Sequence, residues 1–320
     1  RRCLVGSEMC IRDSFKSGGL TTAPARKLSD LCRLLPDASE IHFYLDGTDL
    51  KIEAGSGKYN LTTLPSEDFP KFEAEDSLSE INISSSNIKS LIGSTSFAMG
   101  NDSWRDYLSG LNLIVDDKTI TAVATDGSRL AVANAVLNEA LPDSINGIVP
   151  KKSVNEIGKL VSETSENIII KLGSTSISID AGGTKFVSKL IEGKFPDHEQ
   201  VIPFGESSTM IINRKDFSDS LSRVSVLSGG DHKGVRFITE KNTINISANN
   251  PEKERGEESL ACSYGGESID IAFNVNYFQE ILSSLSSEEI EINFFGSERS
   301  CLITEPNNES LKYVVMPLLV

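Results

Sequence analysis

The stretch from Pro150 to Val201 reads PKKSVNEIGKLVSETSENIIIKLGSTSISIDAGGTKFVSKLIEGKFPDHEQV, and two periodicities follow one another along it. Val154, Ile157, Leu160 and Val161 recur at three and four positions, the stripe of a half-buried helix. Ile168, Ile170 and Leu172, then Ile177 and Ile179, alternate with other residues as strands do, and a Gly-Ser turn separates the two runs. The template is a basic pair or polar cap, an amphipathic helix, then a β-hairpin. It returns from Ala25 (ARKLSDLCRLLPDASEIHFYLDGTDLKIEAGSGKYNLTTLPSEDFPKF) and from Asn274 (NVNYFQEILSSLSSEEIEINFFGSERSCLITEPNNESLKYVVMPL). The period is roughly 125 residues, the size of a domain.

A partner half-unit lies between these copies, once opening at Ile81 and once at Met210, each with a strand, a helix and alternating strands. Each full domain is therefore two βαβββ-like halves. Their connections are hairpins too short for a parallel crossover, so the sheets are antiparallel and the fold class is α+β. The expected domains are 76–207 and 208–320, preceded by 15–75 as the second half of a first domain whose first half is missing. By the repeat period, the lost helix sits roughly 60 residues upstream of Arg26. Residues 1–14 (RRCLVGSEMCIRDS) share no pattern with the rest and read as a foreign leader or a disordered tail.

Composition narrows the function. A chain of 320 residues is long for one core, and no apolar run approaches the ~18 residues of a membrane span, so a soluble protein without a membrane partner is expected. Cys3, Cys10, Cys32, Cys262 and Cys301 are scattered without CxxC spacing. That argues against a disulfide framework or a structural zinc site and for a reducing cytoplasm. His42, His198 and His232 have no nucleophile or ligand partner nearby in sequence, so no catalytic or metal site is expected. The net charge of −15 opposes contact with a polyanion unless charge is segregated.

It is segregated. The five predicted helices carry Arg26, Lys27, Arg33, Lys89, Lys151, Lys152, Lys159, Arg214, Lys215 and Arg223 against Asp30, Glu156, Asp216, Asp219 and Glu280. If the repeats stack side by side, the helices share one surface that is modestly cationic while the remainder is strongly anionic. Such a geometry suits a ring that holds a polyanion inside. Lys and Arg are also ordinary solvated helix residues, so charge alone does not establish DNA binding.

The decapeptide ATDGSRLAVA, Ala124 to Ala133, resembles the signature of the sliding-clamp family of bacterial replicative polymerase β subunits. RKLSDLCRLLP, LTTLPSEDFP, SKLIEGKFPDH, KGVRF, ISANNPE and YVVMPL follow in family order, so the resemblance covers about Phe15 to Val320. Physically, TDGSR is a hairpin turn in which Asp126-Gly127 supplies the positive-φ residues. The resemblance implies tandem clamp domains with sheets outside and helices lining the inner face of a ring. It implies a processivity factor in DNA replication, with no enzymatic activity and no cofactor.

The resemblance further implies a pocket for partner peptides formed by Leu108, Thr125, Gly127, Arg129, Leu130, Pro196, Val201, Val314, Met316 and Pro317, an apolar patch rimmed by the arginine. DNA-facing residues would be Arg26, Arg105, Tyr107 and Lys151, with Lys233 a weaker candidate, all meeting phosphates and not bases. Asp102 and Asp106 stand where better-known members carry an amide and an aromatic, which weakens that patch. Tyr59 and Leu61 would meet Val226 and Leu227 of a second copy in a head-to-tail homodimer. The implied partners are duplex DNA, the replicative polymerase catalytic subunit, a clamp loader that supplies ATP and magnesium, and other proteins bearing the clamp-binding motif. Two rival readings are a metal-dependent hydrolase centred on Asp126 and Arg129 beside Asp102 and Asp106, and an open-surface DNA regulator. The first lacks a histidine companion, and the second lacks a helix-turn-helix or zinc module.

Overall fold

A computed structural model describes residues 18–36, 39–69, 79–101, 104–162, 167–229 and 233–318. The proposed leader, 1–14, and Asp102 lie outside these residues. The chain divides at Glu73/Ala74 into two compact units.

In the first unit, helix α1 (Ala25–Leu34) precedes strands β1 (Ile41–Asp46), β2 (Asp49–Ala54) and β3 (Gly57–Thr62), which form an antiparallel sheet in that order. Leu50, Ile52 and Ala54 alternate along β2 and make up the buried face. No residue of α1 is buried; Leu28 and Leu31 are half-buried and Cys32 is exposed.

The second unit runs through four consecutive βαβββ halves. The first is β4 (Ser79–Ser84), α2 (Ser85–Thr95), β5 (Gly110–Asp116), β6 (Thr119–Thr125) and β7 (Arg129–Val136). The second is β8 (Ile145–Pro150), α3 (Lys151–Ser162), β9 (Asn167–Leu172), β10 (Ser176–Ala181) and β11 (Thr184–Lys189). The third is β12 (Ser208–Asn213), α4 (Arg214–Ser225), β13 (Gly234–Glu240), β14 (Thr243–Asn249) and β15 (Arg255–Ala261), with a short β16 (Ser263–Tyr264). The fourth is β17 (Asp270–Asn274), α5 (Val275–Ser284), β18 (Glu289–Phe294), β19 (Cys301–Glu305) and β20 (Asn308–Val315). Three of the four strand-to-helix steps are fixed locally by the strand's last residue. Ser84, Asn213 and Asn274 each accept a backbone N–H of the first helical turn through the side chain.

The halves interlock by exchanging their leading strands. β4 pairs with β9 of the second half (Ile81↔Ile170, Ile83↔Ile168), and β8 returns to pair with β5 of the first. β12 and β17 make the same exchange with β18 and β13. Two four-stranded sheets result, β11-β10-β9-β4 and β15-β14-β13-β17. Between repeats, β20 pairs antiparallel with β7 (Leu311↔Ala133, Tyr313↔Ala131, Val315↔Arg129). This joins everything else into one nine-stranded sheet, β16-β12-β18-β19-β20-β7-β6-β5-β8.

The helices pack as a row, α3 against α2, α2 against α5, α5 against α4; α2 lies on β6 and β7 of the nine-stranded sheet, whereas α4 lies mainly on β13, β14 and β15. Beneath them lies a continuous apolar core that includes Leu91, Val154, Leu221 and Ile281. In the last repeat, Phe217, Phe237, Phe273 and Phe278 meet with ring centroids 5.1 to 6.1 Å apart, contacts of about 0.5–1.5 kcal/mol each beyond burial.

Buried Glu305 closes the loop after α5. Its Oε1 accepts the N–H groups of Ser286 (3.0 Å) and Ser287 (2.9 Å), and its Oε2 accepts the Asn308 side chain at 2.7 Å. Burial alone would raise its pKa, but the hydrogen bonds from Ser287, Asn308 and Ser286 outweigh burial and hold the carboxyl below its ordinary 4.5. Because the folded-state value is depressed, this stabilisation is complete above the unfolded pKa and lost as pH falls through the folded one. Replacing Glu305 with Ala is expected to cost about 1–3 kcal/mol at pH 7, and the gap from the wild-type chain should narrow in acid, as urea unfolding at a series of pH values will measure.

Candidate functional site

Along β7 the side chains alternate between the two faces of the nine-stranded sheet. Ala131 and Ala133 enter the core beneath the helices, and Leu130 and Val132 enter a second apolar cluster on the opposite face. Tyr313 and Val315 of β20 join the helix side, whereas Val314, paired with Leu130, joins the outer cluster. The outer cluster comprises Leu108, Val123, Leu130, Val132, Ile148, Phe195 and Val314, with Tyr107, Ile191 and Ile202 packed half-buried against it. Three residues predicted for the pocket, Leu108, Leu130 and Val314, thus lie together in one buried apolar cluster.

Other predicted pocket residues stand where an apolar ligand could touch them. Met316 is 47% exposed and Val201 45%, while Pro196 is exposed and Pro317 half-buried. The N–H of Met316 donates to the Ser128 carbonyl at 2.9 Å and fixes the end of β20 beside the β6–β7 turn. Sequence reasoning missed Val123, Val132, Ile148 and Phe195. The first two follow from register, since β6 and β7 pair Val123 with Val132, and Phe195 immediately precedes Pro196.

The β6–β7 turn is built by side chains more than by backbone conformation. Asp126 Oδ1 accepts the N–H of Ser128 (2.9 Å) and of Arg129 (3.1 Å). The Thr125 hydroxyl donates to the Arg129 carbonyl at 2.6 Å and accepts the Gly127 N–H at 3.1 Å. Only Gly127 has positive φ, +94°, so the expectation that Asp126 shares that conformation is corrected: its carboxylate, not its backbone, shapes the turn.

Arg129 does not rim the apolar patch. Its side chain is 8% exposed and lies on the helix side, donating to Asp126 Oδ2 (3.0 Å), to the Phe97 carbonyl (2.7 Å) and to Glu280 of α5. Period-two alternation is the reason, since Leu130 takes the outer face.

The predicted DNA-facing residues are dispersed. Arg26 is exposed on α1, in the first unit, and Lys233 is exposed at φ +38° before β13. Lys151 opens α3, with Nζ donating to Asn101 Oδ1 at 2.7 Å. Arg105 is exposed and reaches the turn, where its Nη2 donates to the Asp126 carbonyl at 3.4 Å; Asp106 beside it is exposed. Tyr107 departs from expectation: its ring packs half-buried against the outer cluster, which makes it a neighbour of the pocket floor and not of the helix face. Tyr59 and Leu61 lie on β3, an edge strand of the first unit, and Val226 and Leu227 follow α4, with Leu227 beside Gly256 of β15, an edge strand of the second.

Any Cβ at Gly127 would sit 2.9 Å from Arg105 Nη1, on a backbone that L residues resist. Replacing Gly127 with Ala is expected to cost about 1–2 kcal/mol in local strain and to displace Arg105. Lower amide-exchange protection confined to residues 104–108 and 125–130 is the signature to measure.

Domain models of the DNA polymerase III beta subunit match the chain in order: the N-terminal domain over residues 6–73, the central domain over 82–197 and the C-terminal domain over 199–319. The beta sliding clamp of Vibrio cholerae serotype O1 is 35% identical over 312 residues, 98% of this chain and 85% of that protein. The crystal structure of the DNA polymerase III subunit beta from Pseudomonas aeruginosa superposes with a TM-score of 0.89 at 36% identity, covering 93% of this chain and 82% of its own. A sliding clamp from Bartonella birtlesii bound to griselimycin gives 0.89 at 35% identity, covering 95% and 83%. With its βαβββ halves, its strand exchange and three domain models matched in sequence order, this chain belongs to the DNA polymerase III beta subunit family, the bacterial sliding clamps.

Proposed function

We propose that the chain acts as a processivity factor in DNA replication, in which two copies enclose duplex DNA and hold the replicative polymerase through the outer apolar cluster. The observation that carries this is the cluster itself. It is separate from the main core and includes Leu108, Leu130 and Val314, and the chain beside two of its residues carries exposed apolar side chains, Met316 two positions after Val314 and Val201 one before Ile202. An apolar cluster with a deformable methionine next to it in the chain suits short hydrophobic peptides from several partners, the polymerase catalytic subunit and the clamp loader among them. Tethering then raises the polymerase's effective concentration at the primer end without any bond being made or broken.

The helix row of the second unit supplies a surface for DNA, with Lys151 as a phosphate contact; Arg105, beside the β6–β7 turn, and Arg26, on α1 of the first unit, are each a further phosphate contact. Tyr107 is better assigned to the pocket. Closure by a second copy would pair the edge that carries Tyr59 and Leu61 with the one beside Val226 and Leu227, a heterologous contact made twice about a twofold axis. The domain boundaries near residues 75 and 207 follow from the repeats. A non-catalytic role is supported by the state of Asp126, whose two carboxylate oxygens are occupied by the turn and by Arg129. Among the described residues, no three His, Cys, Asp or Glu side chains group as metal ligands. A cytoplasmic location accords with the cysteine pattern, and no described helix is long and apolar enough to cross a membrane.

Primer extension on singly primed circular DNA, with loader and polymerase, tests the proposal. Met316→Ala with Val201→Ala is expected to weaken polymerase binding about thirtyfold or more, from loss of roughly 1–2 kcal/mol of apolar contact at each position, with an unchanged urea midpoint because both side chains are exposed. Undiminished product length at limiting polymerase would overturn the pocket assignment. Retention after loading on circular but not linear plasmid separates enclosure from open-surface binding.

A further inference from the structure

We propose that the Arg129–Glu280 ion pair is an inter-repeat latch and that Glu280 is a positioning residue for the peptide pocket, an inference that rests on the pocket reading above. The pocket straddles the seam where β7 meets β20: Leu108, Thr125, Gly127 and Leu130 come from one repeat, and Val314, Met316 and Pro317 from the next. The two groups are held in register by backbone pairing, which leaves twist and splay at the seam to be set by side chains on its other face.

Arg129 supplies that restraint. It begins β7, pairs with Val315 and immediately precedes Leu130 of the pocket floor. Its guanidinium lies over the Tyr277 ring of α5 at 4.5 Å and near the Phe97 ring at 5.4 Å, while Nη2 holds the Phe97 carbonyl. Two carboxylates meet it. Asp126 belongs to the same repeat and shapes the turn, so its bond survives any shift of one repeat against the other. Glu280 belongs to the neighbouring repeat and is the charged residue of an α5 that otherwise carries none, VNYFQEILSS. A buried guanidinium that loses one of two counter-charges is left incompletely compensated, so the cross-repeat bond resists separation at this point. Phe97 stacks on Tyr313 of β20, with centroids 6.0 Å apart, so the same underside couples α2's end, β7, β20 and α5.

Removing Glu280 therefore takes away the counter-charge that reaches Arg129 from the neighbouring repeat, leaves the Tyr277 ring and the β20 pairing to hold it there, and loosens the turn and Leu130 against Val314 and Met316. The full chain is titrated with fluorescently labelled replicative polymerase catalytic subunit, the partner proposed for the pocket, at low and high salt, as wild type, Glu280→Ala, Glu280→Gln and, as pocket control, Met316→Ala. Glu280→Gln keeps the size and polarity of the side chain and serves where the alanine variant folds poorly. Both Glu280 variants are expected to bind roughly fivefold more weakly at low salt, and the wild type is expected to converge on Glu280→Gln as salt screens the pair. Binding that Met316→Ala weakens but both Glu280 variants leave intact overturns the latch alone. Binding that is absent, or that Met316→Ala does not change, overturns the pocket reading and the latch with it. A loss in the Glu280 variants that is independent of salt and follows their unfolding midpoints would mean general destabilisation and also overturns the latch.

Discussion

The pairing of β7 with β20 is the contact on which the second unit depends. Without it there would be two sheet edges, each with unsatisfied backbone groups and β-branched side chains, a state proteins avoid by covering or pairing the edge. With it, nine strands form one surface whose two faces are differently employed. The helix face carries the core, the row of helices and the buried arginine. The outer face carries a smaller apolar cluster that the sheet cannot cover by itself, and the chain from Ile191 to Ile202 covers only part of it. The candidate pocket is thus a consequence of joining two repeats, because its floor exists only where Leu130 and Val314 come into register.

Strand exchange within each repeat serves a related end. A βαβββ half presents a three-stranded sheet and a helix, too little to bury both faces of the helix. Lending β4 to the second half and taking β8 in return places α2 and α3 side by side over strands from both halves, and the shared core runs through Leu91, Val154 and Ile157. The two halves of each repeat are thereby tied together by pairing between strands far apart in sequence, the kind of contact that slows folding.

Much of this was legible in the sequence, and the limits are physical. Period-two runs at Ile168–Leu172 and Ile177–Ile179 and the helical stripe from Val154 to Val161 predict the elements because each obeys a local rule. The duplication then predicts the order βαβββ. Neither rule reports which strands exchange, since pairing partners such as Ile81 and Ile170 lie far apart in the chain. At the site, the resemblance supplied candidate residues without directions. Alternation from Leu130 would have sent Arg129 to the helix side. The position of Tyr107 has no such local signal, because it sits in a single 3-10 turn, Asp106–Leu108, too short to show a period. Glu280 was visible only as one acid among helix charges.

Segregation of charge, too, changes meaning once the partners of each cation are known. Lys159 is paired with Glu156, Lys215 with Asp219 and Arg223 with Glu258, while Arg214 donates to the carbonyls of Ser287 and Leu282. Lys89 and Lys152 are exposed and enter no ion pair among the described residues. Surface pairs of this kind contribute at most about 1 kcal/mol each and exchange readily for a phosphate. The helix row therefore offers a polyanion contacts that are few, weak and interchangeable, and such contacts are strongly reduced by salt. For a groove reader that would be a defect. For a protein that keeps its polymer by enclosing it, weak and equivalent phosphate contacts are what permit movement along the duplex, since no position is bound more tightly than the next.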